Sequence, residues 1–491
     1  MNKIEIFILL TIFLPLLASI LNLFIKKSEN LRDIITLLIS IVTFIFVIKI
    51  FFESKGSYFD NFDIITIMPD LKVSFHVENL GLLFAGIASS LWVMTHIYAV
   101  GYMRKNKEKN RARFFSFFSL SISTVMGIAF SQNLFTLFVF YEILTLATFP
   151  LVAHKGTKEA LKGAKTYLGV LIGTSVGFQL LAIIWIFSLA GTLDFTVGGI
   201  LSNKSEPYII AILLALFCFG VGKAALMPFH GWLPAAMVAP TPVSALLHAV
   251  AVVKAGVFTI LKVGIYIFGI DWLKETSAST WLIWVTSFTI IASSIIALQK
   301  DNLKARLAFS TVSQLSYITL GLALANAVGI LGSSFHILTH AFAKVTLFMC
   351  AGSIYVATKK TNVSQISGLG KKMPITFTAF LLASLSIIGL PPLAGSWSKW
   401  MLILSAIESD QIVIVGVFLT SSLLNIAYLL PIVGRGFFDF SNNSEKFSFQ
   451  RIQEAPTLCW MPSIITGIMC VLFFFYAEYI REFLILIELG G

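Results

Sequence analysis

The sequence is short of charged residues and of cysteine, and each shortage excludes a class of protein. Only 12% of its 491 residues are charged, whereas 57% are hydrophobic. A water-soluble fold of this composition would be covered in apolar surface, so the composition predicts a polytopic membrane protein. The cysteines lie singly in apolar segments, without a CxxC pair, at Cys218, Cys350, Cys459 and Cys470. This pattern argues against a metal cluster or a disulfide framework and predicts small buried residues.

A recognisable cleavable leader is also lacking. The segment from Met1 to Phe24 begins apolar, but Lys3 alone precedes the apolar run and no small-residue cleavage site follows it. Because the same pattern continues along the chain, we interpret this segment as a first membrane span.

Long apolar runs are abundant. A membrane-spanning helix needs roughly 20 apolar residues, and the candidates lie near 5–25, 32–53, 79–102, 114–131, 132–152, 164–189, 208–238, 241–268, 280–299, 306–324, 328–356, 374–406, 411–436 and 460–483. They predict an all-α polytopic membrane protein with about 14 transmembrane helices, forming a single transmembrane domain over residues 1–491.

The net charge of +11 arises from basic residues in particular loops. Those after spans 1, 3, 5, 9, 11 and 13 contain 23 of the 35 lysines and arginines, and the opposite loops are more acidic. By the positive-inside rule, this alternation predicts a multi-pass protein of the cell membrane with both termini outside the cytoplasm. The run RKNKEKNRAR after span 3 is interpreted as a topology signal, or as a surface for anionic lipid or a partner subunit. Nucleic acid is not an expected partner.

Apart from the charges already assigned to loops and span ends, six charged residues fall inside the candidate spans: Glu142, Lys223, Lys254, Lys262, Lys344 and Lys399. A charge at the bilayer centre costs about 3 kcal/mol on insertion scales. Lys262 lies near the end of its span and either reaches the interface or is buried. The other five are too deep for that explanation and predict an ion pathway.

Prolines should interrupt spans 7 and 12. Proline removes a backbone donor and clashes with the preceding turn, so MPFHGWLP should break span 7 beside Lys223, and GLPPLAGSWSKW should break span 12 beside Lys399. The two spans are five apart, an odd number, so a repeated five-helix unit would occur in opposite orientations. We predict inverted repeats over spans 4–8 (residues 114–268) and 9–13 (residues 280–436).

Span 11 carries ionisable residues on one face. His336, His340 and Lys344 are spaced by four residues, so they stack along a helix over about 12 Å. Such a row can carry protons through intervening waters, although packing histidines are an alternative. A zinc site is not expected, since HxxxH lacks the Glu and the third ligand. In span 8, His248 and Lys254 are six residues apart and share a face only if the helix is distorted.

Together these motifs resemble the antiporter-like subunits shared by respiratory complex I, membrane-bound hydrogenases and Mrp-type multisubunit cation/proton antiporters. The resemblance covers essentially the whole chain and is carried by Glu142, GKAALMPFHGWLP, APTPVSALLHAVAVVKAGV, SQLSYITLGL, FHILTHAFAKVTLFMCAG and GLPPLAGSWSKW. It implies fourteen helices, two inverted five-helix units, broken helices 7 and 12, and buried charges along the membrane midplane.

The resemblance also implies roles for individual residues. Glu142 and Lys223 would be a paired switch, Lys254 with the histidines of span 11 a central relay, and Lys399 a terminal proton carrier. The chain has no quinone, flavin or iron–sulfur signature, so no cofactor is expected and redox chemistry would belong to partner subunits. The sequence leaves open whether the chain is part of an enzyme.

The expected function is proton translocation as a membrane subunit of a redox-driven, complex I-like or hydrogenase-like ion pump. Other membrane subunits and lipid are the expected partners. Alternatives are a subunit of an Mrp-type Na⁺/H⁺ antiporter, which would add Na⁺ as a transported ion, the membrane subunit of an inorganic-carbon uptake complex, an inactive scaffold and a stand-alone carrier.

Overall fold

The computed structural model describes residues 2–25, 28–54, 61–68, 71–246, 250–438 and 452–485, which are mostly helical. The α-helices are α1 (Lys3–Phe24), α2 (Glu29–Glu53), α3 (Asn79–Lys105), α4 (Arg111–Ala129), α5 (Leu134–Val152), α6 (Lys158–Thr174), α7 (Leu180–Ala190), α8 (Pro207–Gly220), α9 (Trp232–Ala235), α10 (Thr241–Ala245), α11 (Val252–Val263), α12 (Ile270–Thr276), α13 (Thr280–Gln299), α14 (Leu303–Ala323), α15 (Ala327–Thr358), α16 (Leu369–Lys372), α17 (Pro374–Ile388), α18 (Gly395–Glu408), α19 (Ile412–Phe437), α20 (Thr457–Phe475) and α21 (Ala477–Ile485). A π-helical turn, Ser175–Gln179, joins α6 to α7, and another, Gly264–Phe268, follows α11.

The chain is a multi-pass membrane protein. In its described part, ten helical stretches are long and apolar enough to cross a membrane, with α6 and α7 counted together. Eleven result if Val252–Phe268 and Ile270–Thr276, which meet at 77°, form one bent span. The predicted spans 208–238 and 374–406 are not among these stretches, since each is broken into shorter helices. Helix α14 is not among them either; it is 21 residues long but rich in buried serine and threonine.

The prediction of an all-α fold is wrong in one respect. Strands β1 (Phe62–Met68) and β2 (Leu71–Phe75) pair as an antiparallel hairpin between α2 and α3. Polar and apolar side chains do not alternate regularly along residues 64–68, because isoleucine and methionine are exposed on both faces of β1. The segment therefore lacked the period-two pattern that predicts a strand.

Both predicted helix breaks are present. Helix α8 ends at Gly220 and is followed by a 3₁₀ turn, Gly222–Ala224, that contains Lys223. Helix α17 ends at Ile388, and α18 begins at Gly395, four residues before Lys399. Each break places a lysine where backbone groups lack helical partners.

Helix α15 is the central helix of the bundle. It packs against α3, α14, α17, α18 and α20, and the apolar stretch that would cross the membrane is wholly buried. Gly352 allows close packing, since a Cβ there would lie 2.7 Å from Thr241 Cγ2 of α10. The ionisable face of α15 is thus enclosed by protein rather than lipid.

The loops gather at two ends of the bundle. At the end that we call the basic end, Lys359 Nζ contacts Asn106 Oδ1 at 2.5 Å, and Ser364 Oγ donates to Asp301. At the opposite end, the backbone of Leu134 donates to Leu193, while β2 lies against the α4–α5 connection. The bundle therefore has a basic end and an opposite end.

Candidate functional site

Five lysines are buried in the interior of the bundle. Lys223, Lys254 and Lys344 are 0% exposed, Lys262 is 1% exposed and Lys399 is 5% exposed. Uncompensated ammonium groups would be costly here, so their polar partners decide what each can do.

Lys223 is held against α5. Its Nζ donates to the carbonyl of Tyr141 at 2.8 Å and to Thr145 Oγ1 at 2.6 Å, and it lies 3.0 Å from the centre of the Tyr141 ring. The break after α8 brings the lysine there. The turn also packs on α11, since a Cβ at Gly256 would lie 2.5 Å from the carbonyl carbon of Lys223.

Glu142 lies beside this lysine but is not bonded to it. Tyr141 and Thr145, the two partners of Lys223, flank Glu142 in the sequence. Within the described residues Glu142 forms no ion pair, and its Oε1 is buried without a hydrogen-bond partner. The two side chains thus form no direct ion pair in this structure, and the paired switch implied by the resemblance stays a prediction.

Lys254 and the two histidines of α15 form a continuous row. Lys254 Nζ lies 2.6 Å from His340 Nδ1, and the rings of His340 and His336 are nearly parallel with centres 5.8 Å apart. His336 Nδ1 then lies 2.9 Å from Ser398 Oγ, directly before Lys399. The Nε2 atoms of both histidines are buried without a partner in the described part of the chain.

Lys399 is bound at the second helix break. Its Nζ donates to the carbonyl of Ile388 at 3.0 Å and to Ser422 Oγ at 3.0 Å. Ile388 is the last residue of α17, where a helix presents free carbonyls and partial negative charge, so a cation is favoured. Tyr317 connects this lysine to the row, because its ring stacks on His336 at 5.5 Å and lies 5.0 Å from Lys399 Nζ.

Lys344 and His248 are the remaining predicted residues. Lys344 Nζ donates to Ser310 Oγ at 2.6 Å, on α14, rather than to a histidine. His248 lies outside the described residues. Among those that the structure describes, no group of three or more His, Cys, Asp or Glu side chains could hold a metal ion.

Sequence reasoning missed a buried ion pair. Lys262 Nζ lies 2.7 Å from Glu78 Oε1 and donates to the carbonyl of Ser131 at 2.6 Å. Of the two alternatives for Lys262, the structure thus supports the buried one. Glu78 precedes α3 in a loop, and no local signal links it to a lysine 184 positions later.

The Lys262 ion pair also affects a neighbouring histidine. Burial, assisted by the Lys262 ammonium, lowers the pKa of His76 to about 4. His76 is consequently neutral above about pH 5 and adds no positive charge there.

Two family models match the chain. The model described as "NADH:quinone oxidoreductase/Mrp antiporter, TM" matches residues 131–425, and that described as "NADH-Ubiquinone oxidoreductase (complex I), chain 5 N-terminus" matches residues 65–115. The first covers more than half of the chain and contains Glu142, the five buried lysines and both histidines of the row.

Curated relatives are about one-third identical. NADH-quinone oxidoreductase subunit N of Desulforudis audaxviator is 34% identical over 69% of this chain and 67% of its own length. NAD(P)H-quinone oxidoreductase chain 5 of Synechocystis sp. is 33% identical over 67% of this chain and 49% of its own length. The chloroplastic subunit 5 of Mesostigma viride is 31% identical over 80% of this chain and 62% of its own length. The matched region thus spans between half and two-thirds of these relatives.

Solved structures share the fold over nearly the whole chain. A chain of the Mrp complex from Dietzia sp. has a TM-score of 0.87 and 20% identity, covering 99% of this chain and 97% of its own. A chain of the membrane-bound sulfane sulfur reductase, an archaeal respiratory membrane complex, has a TM-score of 0.85 and 23% identity, covering 98% and 97%. At these identities the likeness establishes the fold.

Proposed function

The chain belongs to the family of antiporter-like membrane subunits shared by NADH:quinone oxidoreductases and Mrp antiporters, and on that premise we propose that it moves protons across the membrane as one module of a larger complex. The observation that supports this most is the row Lys254–His340–His336–Ser398, which ends beside Lys399. It runs from α11, which packs on the first helix break, to the second helix break.

Each group in the row has a distinct part. Lys254 delivers a proton to His340, and the proton moves to His336 through water at the unpartnered Nε2 atoms. Ser398 and Tyr317 orient the last transfer, and Lys399 receives the proton while the Ile388 carbonyl stabilises its charged form. Lys223 and Glu142 precede the row, and motion of Lys223 between Thr145 and Glu142 would switch the first transfer. Lys344 and His248 complete the set of proposed proton-translocating residues.

The proposed architecture is that of fourteen spans. Two inverted five-helix units, 114–268 and 280–436, would each contribute one broken helix and one lysine at the break. The basic end would face the cytoplasm and both termini the opposite side of the plasma membrane. Support comes from the paired breaks at Gly220 and Ile388 and from the clustering of basic loops at one end.

The proposed host is a multisubunit, redox-driven ion pump in which other subunits carry the redox centres. The names of the curated relatives, all quinone oxidoreductase subunits, favour this host. A Na⁺/H⁺ antiporter of the Mrp type is the second candidate, because the description of the matching family model includes it. Proton flux that requires Na⁺ on the opposite side of the vesicle membrane would favour the second candidate.

The function is tested by removing ionisable groups from the row. We expect Lys254→Met, Lys399→Met and His340→Gln to lower coupled proton flux by about 10²-fold, the lower range for lost acid–base groups. The purified complex containing each variant would be reconstituted in liposomes that enclose a pH-sensitive dye. His96→Gln is the matched control, since His96 is a buried histidine on α3 outside the row. Normal flux in all three variants, with assembly intact, would exclude the proposal.

A further inference from the structure

The buried face of α19 carries three polar residues in its middle part, although no residue of this helix is among the proposed proton carriers. Ser421, Asn425 and Tyr428 are separated by four and three residues, so they lie on one helix face, and all are 0% exposed. Ser422, beside them, binds Lys399. In an otherwise apolar helix such a face needs an explanation beyond packing.

This polar face contacts Lys344, the lysine that does not join the histidine row. Lys344 Nζ donates to Ser310 Oγ at 2.6 Å, and the Tyr428 hydroxyl lies 2.8 Å from the same oxygen. Tyr428 also contacts Asn425 Oδ1. A continuous set of hydrogen bonds therefore runs from α15 through α14 to α19.

Gln314 lies on α14 between the residue that contacts Lys344 and the residue that stacks on His336. It lies four residues after Ser310 and three before Tyr317, on the same face of α14. Ser310 contacts Lys344 and Tyr317 stacks on His336, so Gln314 is level with His340. Gln314 is 0% exposed.

Several polar atoms between α14 and α19 have no protein partner. Within the described residues they are both amide atoms of Gln314 and the Asn425 amide nitrogen, and the hydroxyls of Ser421 and Tyr317 lie close to one another beside them. Leaving a buried polar group unbonded is costly, and such groups in proteins normally bind ordered water. Their position between α14 and α19 marks a course for a chain of waters between Lys344 and Lys399.

The possible chain of waters also extends toward the basic end. Arg306 donates to the carbonyl of Tyr428 at 3.1 Å and to that of Lys300 at 2.7 Å, next to the exposed Asp301. Arg306, in the first turn of α14, thus connects the backbone of Tyr428 to the loop that precedes this helix.

We propose that Ser310, Gln314, Ser421, Asn425 and Tyr428 line a hydrated proton branch that joins Lys344 to Lys399 and opens toward the basic end beside Arg306. The branch rests on the proposed proton translocation and continues it, since it connects Lys399, the end of the row, with the basic end. A proton leaves Lys344 Nζ for a neighbouring water and moves by exchange of O–H bonds. Gln314 and Asn425 orient the waters and keep their own protons.

Transport by two variants tests the branch. Asn425→Leu removes the amide from the course, and Tyr428→Phe removes only the hydroxyl. We expect each to lower the initial rate of proton flux in the reconstituted complex by about tenfold, equivalent to about 1.4 kcal/mol in the barrier. Matched controls are Asn22→Leu and Tyr98→Phe, which alter buried residues of α1 and α3 away from the branch, and their rates should be unchanged.

Comparison with the row variants separates the two proposals. If Lys254→Met abolishes flux while Asn425→Leu and Tyr428→Phe are normal, the branch is wrong and the proposed function stands. If Lys254→Met, Lys399→Met and His340→Gln are also normal, the proposed function fails.

Water accessibility provides a readout independent of transport. Asn425→Cys should react with a small water-soluble thiol reagent added at the basic end, whereas Thr466→Cys should not, because Thr466 is buried and bonded to Thr346 away from the branch. The four native cysteines are buried and supply little background. Absence of reaction at position 425 in the folded complex would overturn the branch, even if the leucine variant failed to assemble.

Discussion

The buried lysines of this protein differ in the kinds of group that bind them. Lys223 and Lys399 are bonded to a backbone carbonyl and a hydroxyl, Lys254 to a histidine and Lys262 to a carboxylate. An ammonium held by neutral groups releases its proton more readily than one paired with a carboxylate, which favours the charged form. The lysines of the proposed pathway thus differ chemically from Lys262, whose ion pair suits a fixed structural role.

The Lys262–Glu78 pair provides a prediction at this scale. Lys262→Met leaves the Glu78 carboxylate, 11% exposed, without its partner, so we expect a loss of about 3–5 kcal/mol in stability. The double variant Lys262→Met/Glu78→Gln should recover part of it. Reactivity of the four buried cysteines during heating measures unfolding. Strictly additive single effects would contradict a direct pair.

At the scale of elements, breaks and close contacts position the lysines. A continuous helix would satisfy the carbonyl of Ile388 internally, whereas the end of α17 leaves it free to accept from Lys399. The turn containing Lys223 approaches α11 because residue 256 has no side chain. Hence the geometry around both lysines depends on residues without ionisable groups.

Gly256 gives the corresponding prediction. A Cβ there would lie 2.4 Å from the backbone nitrogen of Ala224, so Gly256→Ala must displace the turn. We expect about 1–3 kcal/mol of destabilisation from overpacking and impaired proton flux. Gly169→Ala is the control, since nothing lies within 4 Å of a Cβ at that position of α6. Equal stability and flux in the two variants would show that close packing at Gly256 is unimportant.

At the scale of the whole molecule, the two ends of the bundle differ in charge, and this difference predicts which end faces the cytoplasm. The basic loops meet at one end, where Lys359 contacts Asn106 and Asp301 contacts Ser364. Positive loops are retained on the cytoplasmic side during insertion. The proposed direction of the proton branch depends on this orientation.

Cysteine labelling tests the orientation. Lys107 and Thr196 are exposed at opposite ends of the bundle, and the native cysteines are buried. In intact cells an impermeant thiol reagent should label Thr196→Cys, and it should label Lys107→Cys only after the membrane is opened. The unaltered chain is the control for background. The reverse pattern would show that the basic end faces outward.

Much of the protein was predictable because several of its signals are local. Apolar runs predicted the membrane-spanning character, proline motifs predicted both breaks, and the motifs together indicated the family that the comparisons confirm. The β-hairpin was missed because its exposed residues are apolar on both faces. The number of spans and the repeats stay predictions.

The sequence by itself determined which residues are ionisable, that they lie in apolar segments and where helices must break, since hydropathy and proline act over a few residues. Only the tertiary structure decided which of them meet. Lys254 reaches a histidine 86 positions away, Lys262 a carboxylate before α3, and Lys344 the polar face of α19 through Ser310. Such pairings depend on how helices pack, and packing follows from the shape of whole helix surfaces rather than from any local pattern.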